Sequence, residues 1–253
     1  MPRRCRFALP LVLLGLHVTV ACAGHPMMSE DTGTQGTGNA ELEQGYAWSN
    51  LDGSGSLLFQ PQLSYGLTPA LDLIVQPSWQ VADAGVAGRV RAFGDTNVDA
   101  KWRFQGASPW SLGVRGGLQL PTSQEGLGIP HDRVAVHAIL VATADFTPFV
   151  LDVNVGMGRA PADAGGRSDL YHVSVAALYS VNDSLFVLAD AAADTNPVAT
   201  GPGWQGTLLT GVIYTLRPGL DLDVGYLTRL DAVGPAQQWL LGITVRGAFP
   251  ALL

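Results

Sequence analysis

From Ala40 to Phe249 a two-residue alternation of apolar and polar side chains dominates, in segments of about ten residues, and it is weaker where a lumen would tolerate Leu58, Ile139 or Leu178. The clearest segment sets Val98, Ala100, Trp102 and Phe104 against Asn97, Asp99, Lys101, Arg103 and Gln105. One side of it is apolar and the other almost wholly charged. A helix would scatter these residues around its axis; a strand sends them to opposite faces. The pattern recurs as Leu220, Leu222, Val224 and Tyr226 against Asp221, Asp223 and Gly225. It recurs again as Leu151, Val153, Val155 and Met157 against Asp152, Asn154 and Gly156, and as Leu71, Leu73, Val75 and Trp79 against Asp72, Gln76, Ser78 and Gln80. After the N-terminus no stretch is apolar for the roughly 18 residues that a spanning helix needs. The longest candidate, Val134 to Ala144, is too short and carries His137.

Such runs predict twelve strands, near 40–49, 55–66, 70–80, 96–105, 110–120, 133–144, 149–158, 169–181, 184–194, 206–216, 220–230 and 238–249. Their connections alternate in length. Tight turns are expected at 67–69, 106–109, 146–148, 182–183 and 217–219, and longer loops at 81–95, 121–132, 159–168, 195–205 and 231–237. Short turns at one rim and long loops at the other are the pattern of an outer-membrane barrel with both ends periplasmic. The fold class predicted is all-β, a transmembrane antiparallel up-and-down β-barrel of about twelve strands. Aromatic residues such as Trp48, Trp79, Trp102, Trp110, Tyr171 and Trp239 fall near strand ends, where interfacial girdles belong.

Charged residues make up 14% of the chain and the net charge is −7. Such sparse charge leaves much surface for something other than water, and the acidic balance argues against nucleic acid as a partner. Arg3, Arg4 and Arg6 precede an apolar run from Phe7 to Ala21, and Ala21-Cys22-Ala23 then forms a small-residue cleavage pattern. Residues 1–23 are expected to be a secretory signal peptide, with lipidation of Cys22 as the competing reading. Cleavage after Ala23 removes both Cys5 and Cys22 and leaves no thiol chemistry. Residues 24–39 lack periodicity and are expected to be a flexible periplasmic lead-in. His25, Met27 and Met28 within it read as composition, not as a metal site. The barrel is assigned to 40–249 and a tail to 250–253. The strand ending at Phe249 is the expected signal for the barrel-assembly machinery, and outer-membrane lipid the expected surrounding.

The face opposite the apolar one carries the candidate lumen residues: Asp72, Asp99, Lys101, Arg103, Arg115, His137, Asp152, His172, Asp190, Asp221, Asp223, Arg229 and Arg246. On the lipid side an Arg or Lys near the midplane would cost about 2–4 kcal/mol, so these face inward. They either line a polar path or fill a narrow lumen with ion pairs, and twelve strands permit both. No phosphate loop, metal cluster, cofactor motif or paired-carboxylate site emerges, and no catalytic residue is assigned. A lipolytic barrel would need Ser, His and Asn together at the lipid-facing rim, whereas His137 and His172 point inward.

Gln62-Leu63-Ser64-Tyr65-Gly66-Leu67-Thr68 followed by Leu71-Asp72-Leu73 resembles a hairpin of the meta-pathway phenol-degradation family of outer-membrane, transporter-like barrels. Gly94-Asp95 with Asp99-Ala100-Lys101-Trp102-Arg103-Phe104 is similar to a second strand of that family, and Leu120-Pro121-Thr122 to a strand end, with Ser123 where Gly is usual. The resemblance spans roughly 40–249. It implies a twelve-strand barrel passing hydrophobic or aromatic compounds and supplies no catalytic residues. The function expected is therefore a channel for small molecules, entered through the loops at 81–95 and 121–132 and left along the lumen or through a gap in the wall. The alternatives are a structural or adhesive barrel with a filled lumen and, further off, a lipolytic enzyme.

Overall fold

A computed structural model describes residues 25–51, 54–83, 89–123, 134–160, 166–197, 199, 201–231 and 237–249. The signal segment 1–23, the tail 250–253 and most of the loop 121–132 lie outside them. Among the described residues are fourteen strands and no helix. They are β1 (Asn39–Leu51), β2 (Ser54–Thr68), β3 (Leu71–Gln76), β4 (Trp79–Asp83), β5 (Arg89–Phe93), β6 (Thr96–Ala107) and β7 (Trp110–Leu120). β8 (Ala135–Phe146), β9 (Phe149–Arg159), β10 (Asp169–Asn182), β11 (Leu185–Thr195), β12 (Trp204–Arg217), β13 (Leu220–Arg229) and β14 (Gln237–Ala248) follow. β2 pairs with both β3 and β4, while β6 continues β5, so each of these pairs is one interrupted span. Twelve spans result. Every span pairs antiparallel with its neighbours, and β1 closes the barrel on β14 from Asn39↔Ala248 to Asn50↔Gln237. Closure leaves the wall from β1 round to β14 without an edge, as backbone amides inside lipid require, while β5 pairs with β4 alone among the described residues.

Sequence dictates most of this directly. The Pro- and Gly-containing turns 69–70, 108–109, 147–148 and 218–219 hold successive spans in tight hairpins at one rim, the one expected to be periplasmic and called the periplasmic rim. Outward positions are the apolar ones: Leu140, Val155 and Met157 are 59%, 56% and 63% exposed, unreasonable in water but natural against acyl chains. Aromatic contacts fall in two belts. Trp110–Phe146 and Phe149–Tyr179 lie at the periplasmic rim, and Tyr46–Phe59 and Tyr226–Trp239 toward the other.

The structure departs from the expected pattern in three places. The region 81–95 is not a simple loop, because β4 and β5 carry the hairpin upward beyond the expected strand ends. Opposite one another in β2 and the β3–β4 span stand Pro61 and Pro77, and the ladder lapses between Leu63↔Val75 and Phe59↔Trp79. Proline has no N–H to donate there. Finally, the lumen is not wet throughout. The inward faces of β10 to β13 bury Ala176, Leu178, Phe186, Leu188, Leu209, Ile213 and Leu227 in an apolar cluster, with Met27 and Met28 packed on it.

Candidate functional site

Met27 and Met28 reach that cluster because the segment before β1 is not a free lead-in. Residues 25–38 run inside the barrel. At the periplasmic rim the Gly38 N–H donates to the Gly66 carbonyl at 2.9 Å, and Thr34 Oγ1 to the Pro69 carbonyl at 2.9 Å. Higher up, the Gln35 N–H bonds the Asp72 carboxylate at 3.0 Å. At mid-lumen Glu30 accepts from Lys101 Nζ at 2.7 Å and from Arg115 Nη1 at 2.5 Å, and Asp31 accepts from Lys101 at 2.9 Å. Asn154 clamps the Glu30 backbone, taking its N–H at 2.6 Å and donating to its carbonyl at 2.8 Å. The chain then crosses to β11, where Asp190 accepts the Met28 and Ser29 N–H groups at 2.7 Å and the Ser29 hydroxyl at 2.9 Å. It ends on β13 with His25 Nδ1 2.6 Å from Asp223. Side chains from six separate spans thus satisfy a peptide with no β-partner of its own, which is what a buried non-regular segment needs.

The wall is shaped to receive it. A Cβ on Gly66 would lie 1.9 Å from the Gly36 carbonyl oxygen, and one on Gly242 2.3 Å from His25 Nδ1. Glu30 is the electrostatic centre. Burial alone would raise its carboxyl, but Lys101 and Arg115 outweigh burial and hold it down at about 2.

The candidate lumen residues fall in distinct groups. Asp99 binds Arg115 at 2.8 Å and His137 at 3.1 Å. Together with Lys101 these residues form the polar wall facing Glu30. Asp152 accepts from Thr143 at 2.5 Å. Arg246 joins Asp221 at 2.5 Å and also Glu41, forming a separate cluster low on the β1–β14 seam. Arg103 reaches the Pro69 carbonyl at the periplasmic rim, 3.0 Å away. Arg229 stands at the opposite end of β13. Sequence reasoning missed Ser29, Glu30, Asp31 and Asn154. A signal existed: Lys101 and Arg115 are inward cations, and Glu30-Asp31 is an acidic pair just outside the strands.

His172 also has company that sequence reading did not anticipate. Its Nδ1 lies 2.7 Å from Asp194 and its Nε2 3.0 Å from Ser174 Oγ. The order Ser–His–Asp is that of a hydrolase relay, but Ser174 is only 6% exposed and its hydroxyl is covered by Ser29 at 2.8 Å. Neighbouring strand N–H groups are engaged in the ladders to β9 and β11, so none is left to stabilise an oxyanion. The arrangement anchors the inserted segment.

Above the insert a cavity of about 580 Å³ opens toward the long-loop rim, with His25 to Glu30 as its floor. Six carboxamides line it: Gln60, Gln62, Gln76, Asn97, Gln119 and Gln238. Leu58, Ile139, Leu227 and Leu240 supply apolar patches.

No family profile and no curated protein sequence matches the chain. Its fold is that of known outer-membrane channels. The COG4313 outer-membrane channel from Pseudomonas putida F1 superposes with a TM-score of 0.69 at 15% identity, over 86% of this chain and 98% of that one. The NanC porin gives 0.60 at 8% identity, over 81% of this chain and 98% of its own. The KdgM porin gives 0.60 at 9% identity with the same coverage.

Proposed function

We propose that the protein is an outer-membrane channel for small molecules, held closed by its own N-terminal segment. The observation that carries this reading is the kind of bonds holding residues 25–38. Apart from the rim bonds of Thr34 and Gly38 to backbone carbonyls, they are ion pairs and single hydrogen bonds to side chains, each replaceable by water, and not a continuous β-ladder. An open cavity already extends from the long-loop rim down to the insert. The channel fold of the structural relatives supports the same conclusion. Export by the signal peptide 1–23 and assembly through the strand ending at Phe249 belong to this proposal.

The hydrophobic or aromatic solutes that the family resemblance implies would find an apolar path only once the insert has left. With the insert displaced, the apolar inward face of β10 to β13 would form a stripe opposite the charged wall. A lateral exit has less support: among the described residues successive spans pair around the barrel, with a lapse opposite Pro61 and Pro77 and with β5 paired to β4 alone.

Full-length protein reconstituted in planar bilayers tests the proposal. Discrete openings from a closed baseline are expected, with longer openings when residues 25–35 are deleted. Silence of both proteins, with the barrel folded, would leave the filled structural barrel as the function.

A further inference from the structure

We infer that the cavity above the insert is a binding site for uncharged, polyhydroxylated solutes, small sugars or polyols. The inference rests on the channel reading for its biological sense but not for its chemistry. A carboxamide donates through its NH₂ and accepts through its carbonyl, as a hydroxyl both donates and accepts. Six carboxamides around one cavity therefore match a ligand whose edge is a row of hydroxyls. The side chains of Gln60, Gln119 and Gln238 make no hydrogen bond to any described residue, so their amide donors and acceptors are available. Gln76 and Asn97 bond each other at 3.3 Å and present their remaining groups inward.

Charge argues in the same direction. The cation on the cavity wall, Arg115, is already engaged by Glu30 and Asp99, while Glu43 and Asp99 bring carboxylates to the same space. An anionic solute would meet repulsion with no free guanidinium to answer it. A wholly apolar solute would strip water from the amides and leave them unpaired, which costs affinity for each group buried. The C–H faces of a sugar suit Leu58, Ile139, Leu227 and Leu240. The volume, about 580 Å³, lies within the usual range for small-molecule sites.

Saturation-transfer NMR on the full-length protein in detergent micelles tests this, with sucrose, glucuronate and phenol as probes. Sucrose is expected to receive saturation and glucuronate to receive much less. Gln60→Leu, Gln119→Leu and Gln238→Leu should each weaken sucrose binding by about threefold to tenfold, the worth of one hydrogen bond. Gln119→Asn, which keeps the carboxamide, should change it less, and heat-modifiable gel mobility verifies that each barrel is folded. No transfer to sucrose, equal transfer in the Leu variants, or preferential transfer to phenol or glucuronate overturns the site. Binding is read without conduction, so a silent bilayer with intact sucrose binding defeats the channel reading alone, and conduction without sucrose binding defeats the site alone.

Discussion

Glu30 holds the inserted segment to two lumen cations, and removing its charge should open the channel. Lys101 and Arg115 lower its carboxyl from the ordinary 4.5 to about 2. Between the seated and the released segment that difference amounts to about 3 kcal/mol at neutral pH. The sign follows from a depressed value in the seated state. The stabilisation is complete above about 4.5 and is lost as pH falls toward about 2, so acid should favour release. In Glu30→Gln the same energy is missing at every pH, which multiplies the released-to-seated ratio by about 10². Asp31 still pairs with Lys101, and Asp190 still caps Met28 and Ser29, so the segment should keep a seated state from which openings begin. Single-channel recording at pH 7 and pH 3 is the assay. Wild-type protein should be mostly closed at pH 7 and open more often at pH 3, while Glu30→Gln should open often at both. An identical open fraction for the two proteins at pH 7, together with no effect of acid on the wild type, would refute the reasoning.

Other consequences follow from the same geometry. Gly66→Val would place side-chain atoms where the Gly36 carbonyl lies, so a Ser29→Cys reporter, shielded from maleimide in the parent, should become reactive in this background. Leu140→Arg puts a cation on the lipid face near mid-span and should lower folding stability in vesicles by about 2–4 kcal/mol, measured by urea titration. The proposed cleavage after Ala23 should appear in intact mass as an unacylated chain beginning at Gly24, and a lipidated Cys22 at the start of the chain would refute it.

The barrel was legible from the residues because its cause is local. Whether Val153 faces lipid and Asp152 the lumen depends only on the two-residue repeat of a strand and on the solvent either side. Where the local rule was crossed, the reading slipped. Pro77-Ser78 and Gly94-Asp95 break two spans without ending them, so the β4–β5 hairpin passed for a loop. Leu178 faces inward as expected, but Leu188 and Leu209 join it against the simple alternation between apolar and wet sides, since part of the lumen is a packed core.

By itself the sequence determined the strand faces, the short-turn rim and the inward placement of Asp99, Lys101, Arg115 and Asp190, all consequences of neighbours along the chain. Only the tertiary structure decided what those residues hold. The contacts of 25–38 with β3, β9, β11 and β13 join positions up to 198 residues apart, as His25 and Asp223 are. A segment held mainly by hydrogen bonds to distant wall side chains has no periodicity of its own. Its composition reads as a flexible tail until the closed barrel supplies the partners.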